Sequence, residues 1–373
     1  MSKRNLLLLF LLLCPFAGAR SADDVLKLYF KSIGIQQGLS HQMVNAIVKD
    51  PQGFIWIGTA EGLNRDDGTE FHVYRHEPGN PCSLSTSWIN CLYITRDGRL
   101  FIGTEKGVNV YNAQKENFER ISAENDSRNL LGNLRIRCFC EDSKGYLWIG
   151  TLDGLIRFDR RNGLINFYKL NHYDRDKMHN EVRSLCEDSA GRLWIGTFDG
   201  LYCRETESGV FKSVPLKKAP AEGNCLISGL HIQQEDPHTL YIAATGGLRV
   251  FDTETGGERH YHTANSGIAS NDVRDVTRYD AKHVLAATSS GLSVFDIPSG
   301  GFTNFANSIT DPVSLPTQIV RCLFQDDNGL VWLGTNYGVA CCNSHRRPID
   351  VHYINDTDAE GHTTRETITD IAV

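Results

Sequence analysis

The tetrapeptide Trp56-Ile57-Gly58-Thr59 decides the fold, because near-copies of it recur at an almost constant spacing. The six further copies are Phe101–Thr104, Trp148–Thr151, Trp194–Thr197, Tyr241–Ala244, Leu285–Thr288 and Trp332–Thr335. A glycine follows each copy, and the seven glycines are 45, 47, 46, 47, 44 and 47 residues apart. Such a period is the sequence signature of a repeat architecture.

Each repeat is predicted to contain four short strands. In the first repeat, a strand over Val44–Val48 precedes a turn from Asp50 to Gly53, and the tetrapeptide forms the second strand. The glycine opens a third strand, and spaced aromatic residues mark a fourth. Helical periodicity is absent. The prediction is an all-β fold, a seven-bladed β-propeller of four-stranded antiparallel blades with about 46 residues per blade, over residues 20–354 and centred on positions 56, 101, 148, 194, 241, 285 and 332.

Composition is that of a folded protein. The chain has 373 residues, of which 40% are apolar and 22% charged, and its formal net charge is −7. Disordered, collagen-like and polytopic membrane proteins are excluded by these values. No basic block is present, so nucleic acid is not expected as a partner.

The first 19 residues resemble a secretory signal peptide. Lys3 and Arg4 precede the apolar run Leu6–Leu13, and Ala17-Gly18-Ala19 provides an A-x-A cleavage site. The apolar run is well short of the roughly 20 residues that span a bilayer. We therefore expect export, with a periplasmic location.

The cysteine pattern indicates small core residues. The middle of the first strand holds a small or short residue in every repeat: Ala46, Cys91, Cys138, Ser184, Gly229, Asp275 and Cys322. Inner strands converge on the propeller axis, which accounts for the small size, and equivalent cysteines of neighbouring blades are expected to lie too far apart for disulfides. His260 and His262 would share a strand face but have no evident third ligand, so neither a metal site nor a cofactor is predicted.

Two segments could close the ring. Leu28–Ile33 resembles a lone fourth strand, and we expect it to supply the outer strand of the seventh blade. In the alternative, Val351–Ile354 completes that blade. Residues 355–373 are interpreted as the start of an incomplete following repeat, because Ile368–Val373 aligns with the first strand at Val320–Gln325.

The repeat resembles that of the two-component regulator propeller family. The resemblance lies in Gly38-Leu39-Ser40, Val44, Asp50, Gly53, Trp56–Thr59 and Gly62-Leu63-Asn64-Arg65, and it recurs over about nine tenths of the chain, although the fifth and sixth repeats lack the tryptophan. In that family, two such propellers precede a membrane helix, a histidine kinase and regulator modules. The resemblance implies a periplasmic oligosaccharide sensor, anchored in the inner membrane, that controls a phosphorelay and transcription. A second propeller and C-terminal signalling domains would be absent partners, and the full-length protein could form a homodimer.

The candidate ligand-binding residues occupy one slot. The residue after the Val44 position is polar in every repeat, as Asn45, Asn90, Arg137, Arg183, Ser228, Arg274 and Arg321. The four arginines could bind carboxylate or sulfate groups of an acidic sugar. Alternatively, they pair with Glu181, Asp272, Asp275 or backbone carbonyls.

Tryptophans divide into two groups. Trp88 could stack on a sugar ring or pack in the ordinary way, whereas Trp56, Trp148, Trp194 and Trp332 are expected in the core between blades.

Three classes of function compete. An oligosaccharide sensor without catalysis in this chain is favoured over a free exported protein-interaction scaffold. A propeller lyase or glycosidase ranks below both, because no pair of carboxylates stands out and the Asp-x-x-Gly-x-x-Trp boxes are interpreted as structural turns.

Overall fold

The computed structural model describes residues 26–170, 180–205, 209–217, 225–233, 235–343, 354–357 and 363–366. The predicted signal peptide lies outside these residues. Within them the helical segments are a 3-10 turn at Ile35–Gln37 and a short helix, α1, at Leu130–Asn133. No helix in the described part of the chain is both long and apolar enough to span a membrane.

The strands form seven four-stranded antiparallel sheets, which confirms the predicted seven-bladed propeller. An N-terminal strand, β1, comprises Lys31–Ile33. The strands of blades 1 to 3 are β2 Val44–Lys49, β3 Ile55–Thr59, β4 Gly62–Asp66, β5 Phe71–Tyr74; β6 Ile89–Ile94, β7 Leu100–Thr104, β8 Gly107–Asn112, β9 Asn117–Arg120; β10 Ile136–Glu141, β11 Leu147–Thr151, β12 Gly154–Asp159 and β13 Leu164–Tyr168. The strands of blades 4 to 7 are β14 Val182–Glu187, β15 Leu193–Thr197, β16 Gly200–Arg204, β17 Phe211–Val214; β18 Ile227–Ile232, β19 Thr239–Ala244, β20 Gly247–Asp252, β21 Glu258–Tyr261; β22 Val273–Arg278, β23 His283–Thr288, β24 Gly291–Asp296, β25 Gly301–Phe305; β26 Val320–Gln325, β27 Leu330–Thr335 and β28 Gly338–Asn343.

The N-terminal strand closes the ring. β1 pairs antiparallel with β28, so the seventh sheet has the order β1-β28-β27-β26. This pairing confirms the predicted closure, in which the outer strand of the last blade comes from the start of the chain. Pairing with β1 satisfies backbone groups of β28 that would otherwise form an open edge.

The alternative closure by Val351–Ile354 is not formed by the described part of that segment. Ile354 begins a separate two-stranded sheet, in which β29 (Ile354–Thr357) pairs with β30 (Thr363–Glu366). Residues 351–353 and Ile368–Val373 lie outside the described residues. The interpretation of residues 355–373 as the start of a further repeat stays a prediction.

The first strand of each blade is innermost, since it contacts the first strands of both neighbouring blades around the whole ring. The core lies between adjacent blades. Trp56 of blade 1 packs with Ile89 and Ile102 of blade 2, and Trp332 of blade 7 packs with Val44 and Ile57 of blade 1. The predicted inter-blade position of the repeat tryptophans is thereby confirmed, and their burial supplies much of the hydrophobic contact between sheets.

The Asp-x-x-Gly-x-x-Trp boxes have the structural role predicted for them. In blade 3, Asp142 Oδ2 accepts a 2.8 Å hydrogen bond from Trp148 Nε1, while Asp142 Oδ1 accepts the backbone amides of Lys144 and Tyr146. The same carboxylate-to-indole bond occurs at Asp50 and Asp188. One aspartate therefore fixes the turn and also satisfies a buried indole.

The small size of these inner-strand residues is explained by close contact with the second strand, and not by crowding at the propeller axis. A Cβ atom on Gly103 would collide with Cys91 Sγ and would come within 2.7 Å of Ile136 Cγ2 of the next blade. The slot of Cys91 thus faces the glycine of the second strand, and Gly150 and Gly334 make the same close approach to Cys138 and Cys322. Neither partner has room for a larger side chain.

The cysteines of the described residues are free thiols. Burial raises the pKa of Cys186 and of Cys322 to about 12. These two thiols stay protonated at neutral pH, so they behave as small apolar residues.

One inner slot holds a carboxyl group. Asp275 accepts the amide of Val276 through Oδ1 and the amide of Leu323, in blade 7, through Oδ2 at 2.8 Å. Burial raises the pKa of Asp275 to about 6, although these two hydrogen bonds favour the charged form.

The hydrogen bond between Asp142 and Trp148 should contribute measurably to stability. In a double-mutant cycle of Asp142→Ala and Trp148→Phe, we expect a coupling free energy of roughly 1.5–3 kcal/mol, because the bond joins a buried donor to a charged acceptor. Urea unfolding of the four proteins measures it. The matched cycle of Asp326→Ala and Trp332→Phe is the control, since no described residue accepts a hydrogen bond from Trp332 Nε1. Equal coupling in both cycles would contradict this role.

Asp275 should make the protein less stable as the pH rises. Its pKa is about 6 when folded, against about 3.9 when unfolded, so the folded state holds the proton more tightly. The stabilisation is complete below pH 4 and is lost as the pH passes 6, with a change of about 3 kcal/mol. Urea unfolding at pH 4 and pH 7 should show this loss in the native protein and not in Asp275→Asn. An identical pH dependence in both proteins would refute the assignment.

Candidate functional site

A β-bulge opens the inner strand of every blade. In blade 1, Val44 pairs with Thr59 and Ala46 pairs with Gly58, so Asn45 is the extra, unpaired residue. The same register shift occurs in the other six blades. The bulged residues are those of the predicted polar slot: Asn45, Asn90, Arg137, Arg183, Ser228, Arg274 and Arg321. A bulge re-aims the side chain that it carries.

The seven bulged residues surround one cavity on the propeller axis. Its volume is about 940 Å³, and inner-strand residues of all seven blades line it. Trp88 also lines the cavity and is 41% exposed. The structure therefore brings every predicted site residue to one place, at a volume typical of small-molecule sites.

A ring of residues surrounds one end of the cavity, and we call it the collar. Its members immediately precede the inner strands: Met43, Trp88, Arg135, Glu181, Leu226, Asp272 and Ile319. Each collar carbonyl accepts an amide from the turn between the second and third strands, as in the bonds from Glu105 to Trp88 and from Asn336 to Ile319. These turns consequently lie beside the cavity.

The sequence analysis missed two charged residues that lie beside the cavity. Arg135 and Glu105 both line the cavity and form an ion pair with each other. Arg135 could have been found from the collar position, which is charged in blades 3, 4 and 6. Glu105 could not have been found in this way, because the turn between the second and third strands, in which it lies, is polar in several repeats.

Three of the four predicted arginines pair with carboxylates. Arg137 Nε and Arg183 Nε lie 2.7 and 3.2 Å from the same oxygen, Oε1 of buried Glu181. Arg274 binds Asp272 Oδ2 through Nε at 3.1 Å and Nη2 at 2.9 Å. The alternative pairing with Glu181 and Asp272 is therefore present for these three arginines, and their role in ligand binding stays a prediction.

Asp275 and Arg321 do not follow this pattern of arginine–carboxylate pairs. Asp275 instead accepts backbone amides, as described above. Arg321 donates to two neutral amides, with Nε 3.1 Å from Asn45 Oδ1 and Nη1 3.2 Å from Asn336 Oδ1.

Several buried polar atoms beside the cavity form no hydrogen bond of good geometry with a described residue. They include Asn90 Nδ2, Arg137 Nε, Arg183 Nε and Glu181 Oε1. The two Nε groups reach Glu181 at ion-pair distance, but no hydrogen bond forms between them. Burial lowers the pKa of Arg183, while the charge of Glu181 opposes that change. All four atoms belong to blades 2 to 4.

Metal-binding clusters are absent from the residues described above. No group of three or more His, Cys, Asp or Glu side chains in them could hold a metal ion. The rings of His260 and His262 lie 5.2 Å apart, and His260 Nε2 bonds to the carbonyl oxygen of Gly246 at 2.9 Å.

Comparison with solved structures shows where this fold recurs. A protein described as the extracellular domain of hybrid two component system BT4673 from B. thetaiotaomicron has a TM-score of 0.72 and 22% identity. The corresponding domain of BT3049 has a TM-score of 0.70 and 23% identity. Each match covers 88% of this chain, which spans 41% and 43% of those chains, respectively.

Virginiamycin B lyase from Staphylococcus aureus shares the fold at lower identity. The TM-score is 0.65 and the identity 12%, over 85% of this chain and 99% of the lyase. All three identities are below 25%, so each of these likenesses concerns the fold alone.

Sequence comparison identifies the family. A stretch of 56 residues is 43% identical to histidine kinase P4 of Formosa agariphila, and it covers 15% of this chain and 4% of that protein. Residues 38–61, 83–106, 129–153, 176–199 and 314–337 match the two component regulator propeller family. Five of the seven blades match this family, so the chain contains two component regulator propeller repeats.

Proposed function

We propose that this chain is a periplasmic sensing propeller that binds an oligosaccharide in its axial cavity. As part of a longer protein with a second propeller and a histidine kinase, it would control a phosphorelay and transcription. The family match and the fold shared with extracellular domains of two-component systems support this proposal.

The observation that carries the proposal is the mixture of hydrogen-bonding side chains that line the cavity in blades 2 to 4. Asn90 carries both a donor and an acceptor, Arg137 and Arg183 carry donors, and Glu105 carries acceptors. Each of the two guanidinium groups directs Nε to Glu181 and has further N–H groups beside it. Sugar hydroxyls both donate and accept, so they match this mixture.

Trp88 adds an apolar surface to the same sector. It belongs to the collar of blade 2, two residues before Asn90, and it is one of few exposed large hydrophobic side chains in the described part of the chain. An exposed indole face beside hydrogen-bonding groups is suited to a ring that is apolar on its face and polar at its edge.

The charge of the cavity favours a ligand with little net charge. Five guanidinium groups lie in or beside it, on Arg135, Arg137, Arg183, Arg274 and Arg321. Four carboxyl groups offset them, on Glu105, Glu181, Asp272 and Asp275. A densely sulfated polymer would find few unpaired cations there.

Binding without catalysis accounts for this site better than hydrolysis or elimination does. The described carboxylates of the cavity are committed to arginines or backbone amides, and none is in a position to act freely as an acid or a base. A protein-interaction scaffold would leave the polar lining of the axial cavity unexplained.

Substitution of Trp88 or Arg183 should weaken binding. For Trp88→Ala and Arg183→Ala we expect the dissociation constant of a bound oligosaccharide to rise about 10-fold or more, because stacking or charged hydrogen bonds are lost. Stability should change little, since Glu181 keeps its pair with Arg137. Calorimetry against a panel of neutral and acidic oligosaccharides measures the affinity, and thermal unfolding measures the stability.

Two exposed residues at the opposite end of blade 3 serve as controls. Arg161 lies in the turn after β12, and Leu164 lies at the start of β13. Arg161→Ala and Leu164→Ala should retain the native affinity. Native affinity in both cavity variants, or no binding to any oligosaccharide of the panel, would contradict the proposed function.

A further inference from the structure

Arg321 differs from the other arginines around the cavity. It is the bulged residue of blade 7, and among the described residues no carboxylate lies within ion-pair distance of it. Arg135, Arg137, Arg183 and Arg274 each have such a carboxylate. The positive charge of Arg321 is therefore not neutralised by a neighbouring residue.

The guanidinium group of Arg321 is held in a fixed orientation. Asn45 Nδ2 donates to the carbonyl oxygen of Ile89 at 2.8 Å, which turns Asn45 Oδ1 toward Arg321 Nε. Asn336 Oδ1 accepts from Nη1. No described residue accepts a hydrogen bond from Nη2, so this nitrogen and one Nη1 hydrogen remain for a ligand.

The two acidic residues of blade 6 that line the cavity do not form an ion pair with Arg321. Asp275, on the inner strand of the neighbouring blade, uses both carboxylate oxygens to accept the amides of Val276 and Leu323. Asp272 is bound by two nitrogens of Arg274. Burial and the charge of Arg274 both lower the pKa of Arg321, which reflects the cost of an unpaired cation at this position.

We propose that Arg321 is an anion subsite, which binds the oxyanion of an acidic sugar while blades 2 to 4 bind the hydroxyl groups of the same ligand. The inference rests on the proposed function and deepens it, because it selects a sparsely charged acidic oligosaccharide over a neutral one. A guanidinium held by two amides presents its remaining N–H groups to a carboxylate or a sulfate ester, which are bound by charge-assisted hydrogen bonds. Asn45 and Asn336 are positioning residues for that group.

The first experiment compares an acidic sugar with its neutral form. Calorimetry with trigalacturonate and with its methyl ester should give about 10-fold tighter binding of the acid, and a sulfated and an unsulfated disaccharide distinguish sulfate from carboxylate recognition. Arg321→Gln should remove the preference for the acid. Asn336→Asp should remove it as well, because it places a carboxylate at the position that lies 3.2 Å from Nη1. Arg161→Gln, at the other end of the propeller, should retain it.

The second experiment tests the subsite without any sugar. Sodium sulfate should raise the melting temperature of the native protein more than sodium chloride of equal ionic strength. Part of this excess is a general effect of sulfate, and the part due to the subsite should be lost, so the excess should be smaller in Arg321→Gln and Asn336→Asp than in the native protein and Arg161→Gln. An excess that is equal in all four proteins would overturn the subsite, even if neutral sugars bind. A smaller excess in the two variants, without binding of any sugar, would support the subsite and overturn the proposed function.

Discussion

A one-residue bulge at the start of each inner strand is the constraint on which the site depends. Without it, strict alternation would direct the second residue and the fourth to the same face of the strand. With it, Asn45 and its six counterparts are left unpaired at the cavity, while Ala46 and its counterparts face the second strand. The glycine of the repeat tetrapeptide leaves room for the side chain at the Ala46 position, which lies against it. The same local geometry therefore accounts for the polar ring, the small slot and the glycine that recur in the sequence.

Repetition of the backbone lets the side chains differ around the ring. Blades 2 to 4 combine Trp88, Asn90 and an arginine pair that shares Glu181, whereas blades 6 and 7 place the neutralised Arg274 beside the unneutralised Arg321. The cavity thus has one side suited to hydroxyl groups and another suited to a single negative charge. Such asymmetry on a symmetric scaffold gives a ligand one orientation, because its polar groups match only one arrangement of blades.

Much of this architecture could be predicted from the sequence. The period of the Trp56 tetrapeptide gave the number of blades, the aspartate turns gave the strand order, and Leu28–Ile33 was correctly expected to contain the closing strand. The polar slot after Val44 marked the cavity residues. The bulge itself could not be predicted, because it changes the pairing and leaves the sequence period unchanged. Ion pairs such as Arg135 with Glu105 were also missed, since they join a collar residue to a turn of the preceding blade.

Hydrogen–deuterium exchange with a bound oligosaccharide is the most direct test of the central claim, that the bulged inner strands form the ligand site. The account predicts slower exchange in peptides that cover residues 86–92, 135–139 and 181–186, where the collar and the bulges of blades 2 to 4 lie. Peptides from the turns at the opposite end of the propeller, such as residues 159–164, should be unaffected. Protection confined to the outer strands or to those opposite turns would contradict the account.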